Sequence, residues 1–578
     1  MEPAHSPRIR EREVPEHWRA LASRVPPRVA RVLAARGVRS VDELDLGVAG
    51  LKPPAGLAGL DVAAQRLAEA IHRGERILVV GDFDADGATG TAVAVRGLRA
   101  LGASDVHYAV PDRQRHGYGL SVSLVEELLA LRPQVLVTVD HGTSSVAGVA
   151  RASAAGVDVL VTDHHLPGDQ LPAALALVNP NAQGARHALG ALAGVGVIFH
   201  VLAAVRGALD RAGRLPAPVP LASLLDLVAL GTVADLVPLD RVNRILVNEG
   251  LRRIRAGRAS AGLAALIGSA GRDPARLQAS DLGFQIGPRL NAAGRLDDMS
   301  LGIRCLVSDD IDETRELAAQ LSELNRERRA LQTEMEREAS EIVSRLLAER
   351  AGSVPNALVV ADPGWHAGVV GLVASRLVER LHRPTLALAP AGEGADDWRG
   401  SGRSIPGFHL RDALVELDRL HPGLMTRYGG HAMAAGLSLP AARVAELAHA
   451  FEQVVDRCMD PDLCTRTLWT DGALQAEEYT LELAQALEAA GPYGQAFPEP
   501  QFDNAFNVLD RRVLKDKHLK LRLQPIGGRR SVDAIWFSAP APWLAHTPGR
   551  LRLVYQLAVE RWQGLESLSL HIRHGSAD

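Results

Sequence analysis

Apolar and polar positions fall in blocks along this chain. Residues 77–80, Ile-Leu-Val-Val, form a short apolar run rich in β-branched side chains, which predicts a buried strand. Similar runs follow at 107–110, 135–139, 157–161 and 174–178, with helical periodicity between them at 89–101, 123–131 and 145–155. An amphipathic helix over 61–75, with Val62, Leu67 and Ile71 on one face, precedes the first strand. This alternation predicts a parallel α/β sheet covered by helices on both faces. A second, smaller α/β block spans 355–455, with strands at 357–361 and 385–389 and a helix running to about Leu381. Between the blocks, residues 309–350 contain no Gly or Pro and are dense in Glu, Arg, Leu and Ala. They predict one mostly polar helix, on the order of 60 Å long at ~1.5 Å per residue, joining two domains. Such a bridge should leave a cleft between them.

After residue 465 the pattern changes. A helix over 477–490 leads to short strands with turn signals at 519–523, 531–536 and 550–559, the signature of a small β-barrel. The first 60 residues are Arg- and Pro-rich, with helical periodicity at 27–33. The expected division is therefore a helical lead-in (1–60), a parallel-sheet domain (61–305), a long connecting helix (306–352), a second α/β domain (353–457) and a barrel domain (458–578). The length of 578 residues requires several cores.

Composition narrows the class. Apolar content of 47% and charged content of 23% describe an ordinary globular protein, and no apolar run reaches membrane-spanning length. Three cysteines without a CxxC pair, and an N-terminus without an apolar signal core, predict a reducing, cytoplasmic setting without thiolate zinc. The net charge of −4 excludes a uniformly basic nucleic-acid binder but not a basic face on one domain. Residues 501–578 hold 12 Lys and Arg against 7 Asp and Glu, clustered at 511–520, and read as a nucleic-acid face. Trp536, Phe537 and Trp543 there are candidates either for base stacking or for the barrel core.

The candidate chemistry sits at strand ends. Gly81-Asp82-Phe83-Asp84-Ala85-Asp86-Gly87 follows the first strand and carries three carboxylates on alternate residues. Like charges that close need a cation nearby, although Asp and Gly are also ordinary turn residues. Val110-Pro111-Asp112-Arg113 with His116-Gly117-Tyr118-Gly119, Thr138-Val139-Asp140-His141-Gly142, Val161-Thr162-Asp163-His164-His165 and Val178-Asn179-Pro180 end other strands. In open α/β sheets ligands bind beyond the carboxyl ends of strands, so these clusters should line one crevice. Asp235 is a further acid with apolar flanks that needs a partner. Asp82, Asp84, Asp140, His164 and Asp235 make a carboxylate and imidazole set without thiolates, suited to two divalent ions, Mn²⁺ or Mg²⁺. Such a pair predicts phosphoester hydrolysis, and no Walker loop is present. Asp86 is expected as a ligand, a support, or a cap on the helix starting near Thr89. Residues 287–295, 399–404 and 429–436 read as Gly-rich loops, either with Arg, Ser, Asn and His side chains suited to phosphate or carboxylate or as ordinary solvent-facing turns.

Asp82-Phe83-Asp84, Asp140-His141-Gly142, Asp163-His164-His165 and Asp235, in this order, resemble the DHH phosphoesterase superfamily. With Val110-Pro111-Asp112-Arg113, the 116–120 run, 287–295, Ser401-Gly402-Arg403 and 429–436, the chain is similar to that superfamily's bacterial exonucleases specific for single-stranded DNA. The resemblance implies metal ligation by Asp82, Asp84, Asp140, His164 and Asp235, with Asp140 bridging two metals. It implies that His165 contacts the scissile phosphate or assists the leaving oxygen. Arg113, Arg289, Ser401 and Arg403 would hold the 5′ end, and His116, Asn291, Arg295, Gly430 and His431 would shape the DNA path. It further implies a DHH-associated domain, a C-terminal OB-fold, and 5′→3′ hydrolysis of single-stranded DNA to nucleoside 5′-monophosphates in repair and recombination. A single-strand-binding protein and a helicase are the implied partners. The alternatives are a non-catalytic DNA-binding relative and a small-oligonucleotide phosphodiesterase. Two positions depart from the pattern: Leu78 stands where the superfamily often has His, and Ala496-Phe497-Pro498 where the family usually has Gly-Asn-Pro.

Overall fold

The first apolar run forms strand β1 (Ile77–Val80), buried at all four residues. The computed structural model describes residues 6–578 apart from 52, 53, 55, 113, 114, 183–186, 216–218, 351, 393 and 394. By its internal contacts the chain divides into two units, Met1–Arg10 with Leu324–Trp469, and Glu11–Glu323 with Thr470–Asp578.

In the larger unit, β1 leads into helix α1 (Ala85–Ala100), then β2 (Val106–Ala109), β3 (Val135–Val139), β4 (Asp158–Thr162) and β5 (Ala176–Val178). The strands form a five-stranded sheet in the order β2-β1-β3-β4-β5, with every neighbouring pair parallel. The chain builds outward from β1 to β2, then returns to the other side of β1 for β3. The switch point of the sheet therefore lies between β1 and β3, where a parallel sheet opens a crevice at its carboxyl edge. One face is covered by Leu120, Leu124, Val125 and Leu128, packed on Leu78, Val80, Leu136 and Val161. α1 is buried almost all round, which its run of Ala, Gly and Thr permits. It packs against α2 (Gly194–Arg211) and α3 (Leu225–Ala234).

Several local expectations change. α1 begins at Ala85, four residues before Thr89, because Asp84 caps it. Val62 is 49% exposed; the helix Leu60–Arg73 buries Leu67 as expected, together with Leu60, Ala63 and Ala64. Residues 287–295 are not a loop: they form α4 (Gly287–Leu296), continuous with a π-helical turn at Leu282–Ile286. Pro288 is tolerated because it occupies the first turn, where its missing N–H has no helical partner. α5 (Ile311–Glu349) is a single 39-residue helix, as its composition predicts.

The smaller unit carries β6 (Leu358–Ala361), α6 (Val370–Leu381), β7 (Thr385–Pro390), β8 (Asp397–Arg403), β9 (Arg427–Gly430) and β10 (Ala434–Pro440), in sheet order β9-β10-β8-β7-β6. Two predicted glycine loops are strands here. Residues 399–403 lie within β8, and 429–430 and 434–436 pair as the strand ends of the β9–β10 hairpin, leaving only 431–433 as its turn. Glycine-rich sequence is a turn signal by propensity, but the ladder around it holds these residues extended.

The C-terminal strands β11 (Phe502–Leu514), β12 (His518–Pro525), β13 (Val532–Trp536), β14 (Arg550–Trp562) and β15 (Leu565–Ala577) close into a barrel in the order β11-β12-β13-β15-β14. That is the five-stranded OB-type ring. Trp536 lies in its core, whereas Phe537 is 53% exposed and meets the rings of His518 and His571 edge-on. Residues 496–498 show how the departure from Gly-Asn-Pro is accommodated. Ala496 takes a left-handed φ of 58°, where Gly is favoured, and Phe497 is buried with the Arg244 guanidinium 4.0 Å above its ring.

His200, on α2, is buried and its Nε2 has no hydrogen-bond partner, so burial lowers its pKa to about 4. A depressed histidine leaves stability intact above the unfolded value and forfeits it on acidification. Thermal melts should therefore show stability falling as pH drops from about 6.5 toward about 4. His200→Leu should flatten that acid slope.

Candidate metal centre

Every acid of the predicted set lies at a strand or helix end on one side of the sheet. Asp82 follows β1, is buried, and accepts the N–H of Phe83 at 2.7 Å. Asp84 caps α1, accepting the Gly87 N–H at 2.9 Å. Asp86 lies in the first turn of α1, and its two oxygens accept the N–H groups of Gly194 (2.6 Å) and Val195 (3.0 Å), the first turn of α2. It is thus not a cap: a neighbouring helix N-terminus holds it in place. Asp140 follows β3 with a left-handed φ of 68°, a conformation Asp tolerates better than most residues. Its N–H still pairs with the Thr162 carbonyl at 3.0 Å, so the ladder aims the side chain across the switch point. Asp235 follows the last residue of α3.

His164 draws these acids together. Its Nε2 lies 3.0 Å from Asp140 Oδ1, 3.5 Å from Asp235 Oδ2 and 4.0 Å from Asp86 Oδ2. Three overlapping groups have ligand atoms within 4.8 Å of one another: Asp82, Asp84 and Asp140; Asp86, His164 and Asp235; and Asp140, His164 and His165. The close approach depends on glycine. A Cβ on Gly194 would fall 2.6 Å from the Cβ of Asp140, and one on Gly87 would fall 2.6 Å from the Asp82 backbone.

The electrostatics are those of a cation site. Burial, then the charges of Asp86, Asp84, Asp235 and Asp82, push Asp140 well above the usual carboxylate range. Burial and its acidic neighbours raise Asp86 and Asp235 too, although the Gly194 and Val195 N–H groups oppose the shift at Asp86. Like charges 4 Å apart repel by about 4 kcal/mol at an effective dielectric of ~20, a cost that a cation between them offsets. Asp140 Oδ1 is buried and faces His164 Nε2 at 3.0 Å. An oxygen-rich donor set with one or two imidazoles and no thiolate fits Mn²⁺ or Mg²⁺.

Around the acids lies a supporting layer. Asp163 accepts the N–H of Thr143 (2.9 Å), those of His164 (2.7 Å) and His165 (3.0 Å), and the ring Nδ1–H of His165 (2.8 Å). Burial works against its ionisation, but the His165 ring and these N–H groups prevail and hold Asp163 well below the ordinary range. Burial likewise lowers His165, yet its bond to Asp163 raises it overall. Tyr118 reaches the same ring, its hydroxyl 3.3 Å from the His165 nitrogens. His141 is buried, with Nε2 3.0 Å from the Val80 carbonyl, tying the end of β3 to that of β1. Tyr118 and Asp163 were quoted in sequence motifs without a role. The ring that Tyr118 meets comes from another strand end, whereas Asp163 is engaged mainly by the two histidines that follow it.

The predicted DNA-contacting residues are dispersed. Asn291, on α4, accepts the Ala85 N–H at 2.8 Å and so braces the start of α1. Arg289 lies on the same helix and reaches Ser322 Oγ at 3.1 Å, with Arg295 two turns on. His116 is pinned at both ring nitrogens, by the Asp112 N–H (3.0 Å) and Glu127 (3.1 Å). Arg113 is outside the described residues. In the smaller unit, Ser401 and Arg403 lie on β8 beside the first turn of α6, with Arg403 Nη1 2.9 Å from Ser401 Oγ. A Cβ on Gly371 of that turn would fall 2.8 Å from Ser401 Oγ. A guanidinium and a hydroxyl at a helix N-terminus suit an anion. Gly430 takes a φ of 138° and His431 is exposed at the hairpin turn.

Sheet, switch point and acid set are those of a DHH domain. The profile of the DHH family, N-terminal domain, matches residues 76–232, that of the DHHA1 domain 355–457, and that of the RecJ OB domain 470–574. The single-stranded-DNA-specific exonucleases RecJ of Salmonella typhimurium and Escherichia coli are each 48% identical over 569 residues, covering 98% of this chain and 98% of theirs. The crystal structure of RecJ in complex with Mn²⁺ from Thermus thermophilus superposes with a TM-score of 0.82 at 32% identity, over 99% of this chain and 80% of that one. The chain belongs to the RecJ family.

Metal occupancy should relieve the repulsion. In melts with and without chelator, Mn²⁺ at a hundredfold excess over its Kd should add about 2.7 kcal/mol of stability. Asp140→Ala should abolish that gain.

Proposed function

We propose that this protein is a two-metal-dependent exonuclease that hydrolyses single-stranded DNA from its 5′ end to nucleoside 5′-monophosphates, in DNA repair and recombination. The observation that carries the reading is the convergence of Asp82, Asp84, Asp140, Asp235 and the His164–His165 pair at the switch point of the sheet. Asp82, Asp84, Asp140, His164 and Asp235 are the residues that would hold the metals. Asp86 joins His164 and Asp235 while anchored to α2, so it combines ligation with support. Divalent ions bound there polarise the phosphodiester and lower the pKa of the attacking water.

The chain's own groups do the rest. Asp163 keeps a proton on His165 Nδ1, fixing the ring and directing Nε2 to the scissile phosphate or leaving oxygen. The hydroxyl of Tyr118, 3.3 Å from both nitrogens, lies against the same ring. Arg113, Arg289, Ser401 and Arg403 hold the 5′ end and adjacent phosphates. Arg295, Gly430 and His431 line the strand's path. Asn291 and His116 shape it through the segments they brace. The OB-type barrel binds the single strand further along, with Phe537 its exposed stacking ring. We assign 61–305 to catalysis, 306–352 to the connecting helix, 353–457 to the DHH-associated domain and 458–578 to single-strand binding, after a lead-in of 1–60. A cytoplasmic setting, and work beside a single-strand-binding protein and a helicase, fit this activity.

Digestion of 5′- and 3′-labelled single strands with Mn²⁺ tests it. Label should leave the 5′ end first as mononucleotide, blunt duplex should resist, and Asp140→Ala should lose at least ~100-fold in rate. Release beginning at the 3′ end would contradict the polarity.

A further inference from the structure

The backbone of the His164–His165 pair is gripped from two sides. Asp163 takes both N–H groups. The two carbonyls point the other way, to a pair of carboxamides just beyond β5. Asn181 Nδ2 donates to the His164 carbonyl at 2.6 Å and to that of Gly190 at 3.2 Å. Asn179 Nδ2 donates to the His165 carbonyl and to Thr143 Oγ1, each at 2.8 Å. The Asn181 N–H closes onto Asn179 Oδ1 at 2.8 Å, which couples the two. Both amide groups face carbonyl oxygens, so only their NH₂ ends fit there. Asn179 is buried, where an unpaired amide costs about 1–3 kcal/mol.

We propose that these asparagines are positioning residues with separate tasks: Asn181, through the His164 carbonyl, sets affinity for the divalent metal, and Asn179, through the His165 carbonyl, sets the rate of the chemical step. The inference rests on the proposed roles of His164 toward metal and His165 toward phosphate. A carbonyl held by a side chain fixes the local peptide plane and hence the direction of the imidazole beyond it. A misplacement of about 1 Å is enough to cost ~100-fold. Each asparagine grips a different peptide, so their losses should appear in different quantities.

The test uses the full-length protein with Asn181→Leu and Asn179→Leu, which keep the branched shape and remove the donor. Mn²⁺ affinity is read from the electron paramagnetic resonance signal of free Mn²⁺, alongside nuclease rate and the melting temperature of the metal-free protein. Asn181→Leu should raise the Mn²⁺ Kd by ~10- to 100-fold, and added Mn²⁺ should recover its activity. Asn179→Leu should keep that Kd within about twofold while losing ~10- to 100-fold in rate that Mn²⁺ does not recover. Asn181→Ser and Asn179→Ser, smaller changes that retain a donor, should show the same split at lower amplitude, including where a leucine variant does not fold. If affinity, rate and melting temperature fall together in both positions, the two residues are merely structural and the proposal is wrong. If the wild-type protein binds no Mn²⁺, the metal assignment fails first. Normal wild-type binding with unsplit variants overturns only this inference.

Discussion

Carboxylates that must remain ionised within a few ångströms of one another, where water hardly reaches, are the constraint around which the larger unit is arranged. No single element can hold them, because each raises the protonation tendency of the next. The fold distributes them instead: two at the end of β1, one in the first turn of α1, one beyond β3 and one beyond α3. Each arrives on a backbone already committed to another hydrogen-bond ladder. Positive charge is supplied in part by the α2 N-terminus, which takes Asp86, and is completed by divalent ions.

That arrangement explains features that would otherwise look incidental. α1 is made of small residues because it lies between the sheet, α2 and α3, and its start must come within contact of the Asp82 backbone. Asp140 adopts a left-handed conformation because its N–H continues the sheet while its side chain turns away. Gly194 is required where α2 passes Asp140. Asn291 braces the start of α1 from a helix some two hundred residues away in sequence. Rigid elements thus carry the reactive groups, and a layer of carboxylate and carboxamide bonds keeps the two histidines in register.

Much of this was legible in the sequence. Parallel strands announce themselves as short β-branched runs because both their faces are buried, so β1 and β3 to β5 were recognisable within a residue or two. The long helix was plain from an uninterrupted stretch free of Gly and Pro. Glycine misled in both directions. In 287–295 the residues are helical, and in 399–403, 429–430 and 434–436 they belong to strands, since packing and ladder partners outweigh local preference. α1 starts four residues before its apolar periodicity shows, because Asp84, one of the clustered acids, also caps it.

The sequence by itself determined which residue types meet and in what order: acids and histidines at the ends of apolar runs, with no thiolates among them. That follows from chemistry, because strand ends are where a parallel sheet leaves side chains free to act. Only the tertiary structure decided which supports which. Asp86 against α2, Asn291 against α1, and Asn179 and Asn181 against the histidine carbonyls are contacts between segments distant along the chain. No local period encodes them, because each partner's direction is set by the strand or helix that carries it.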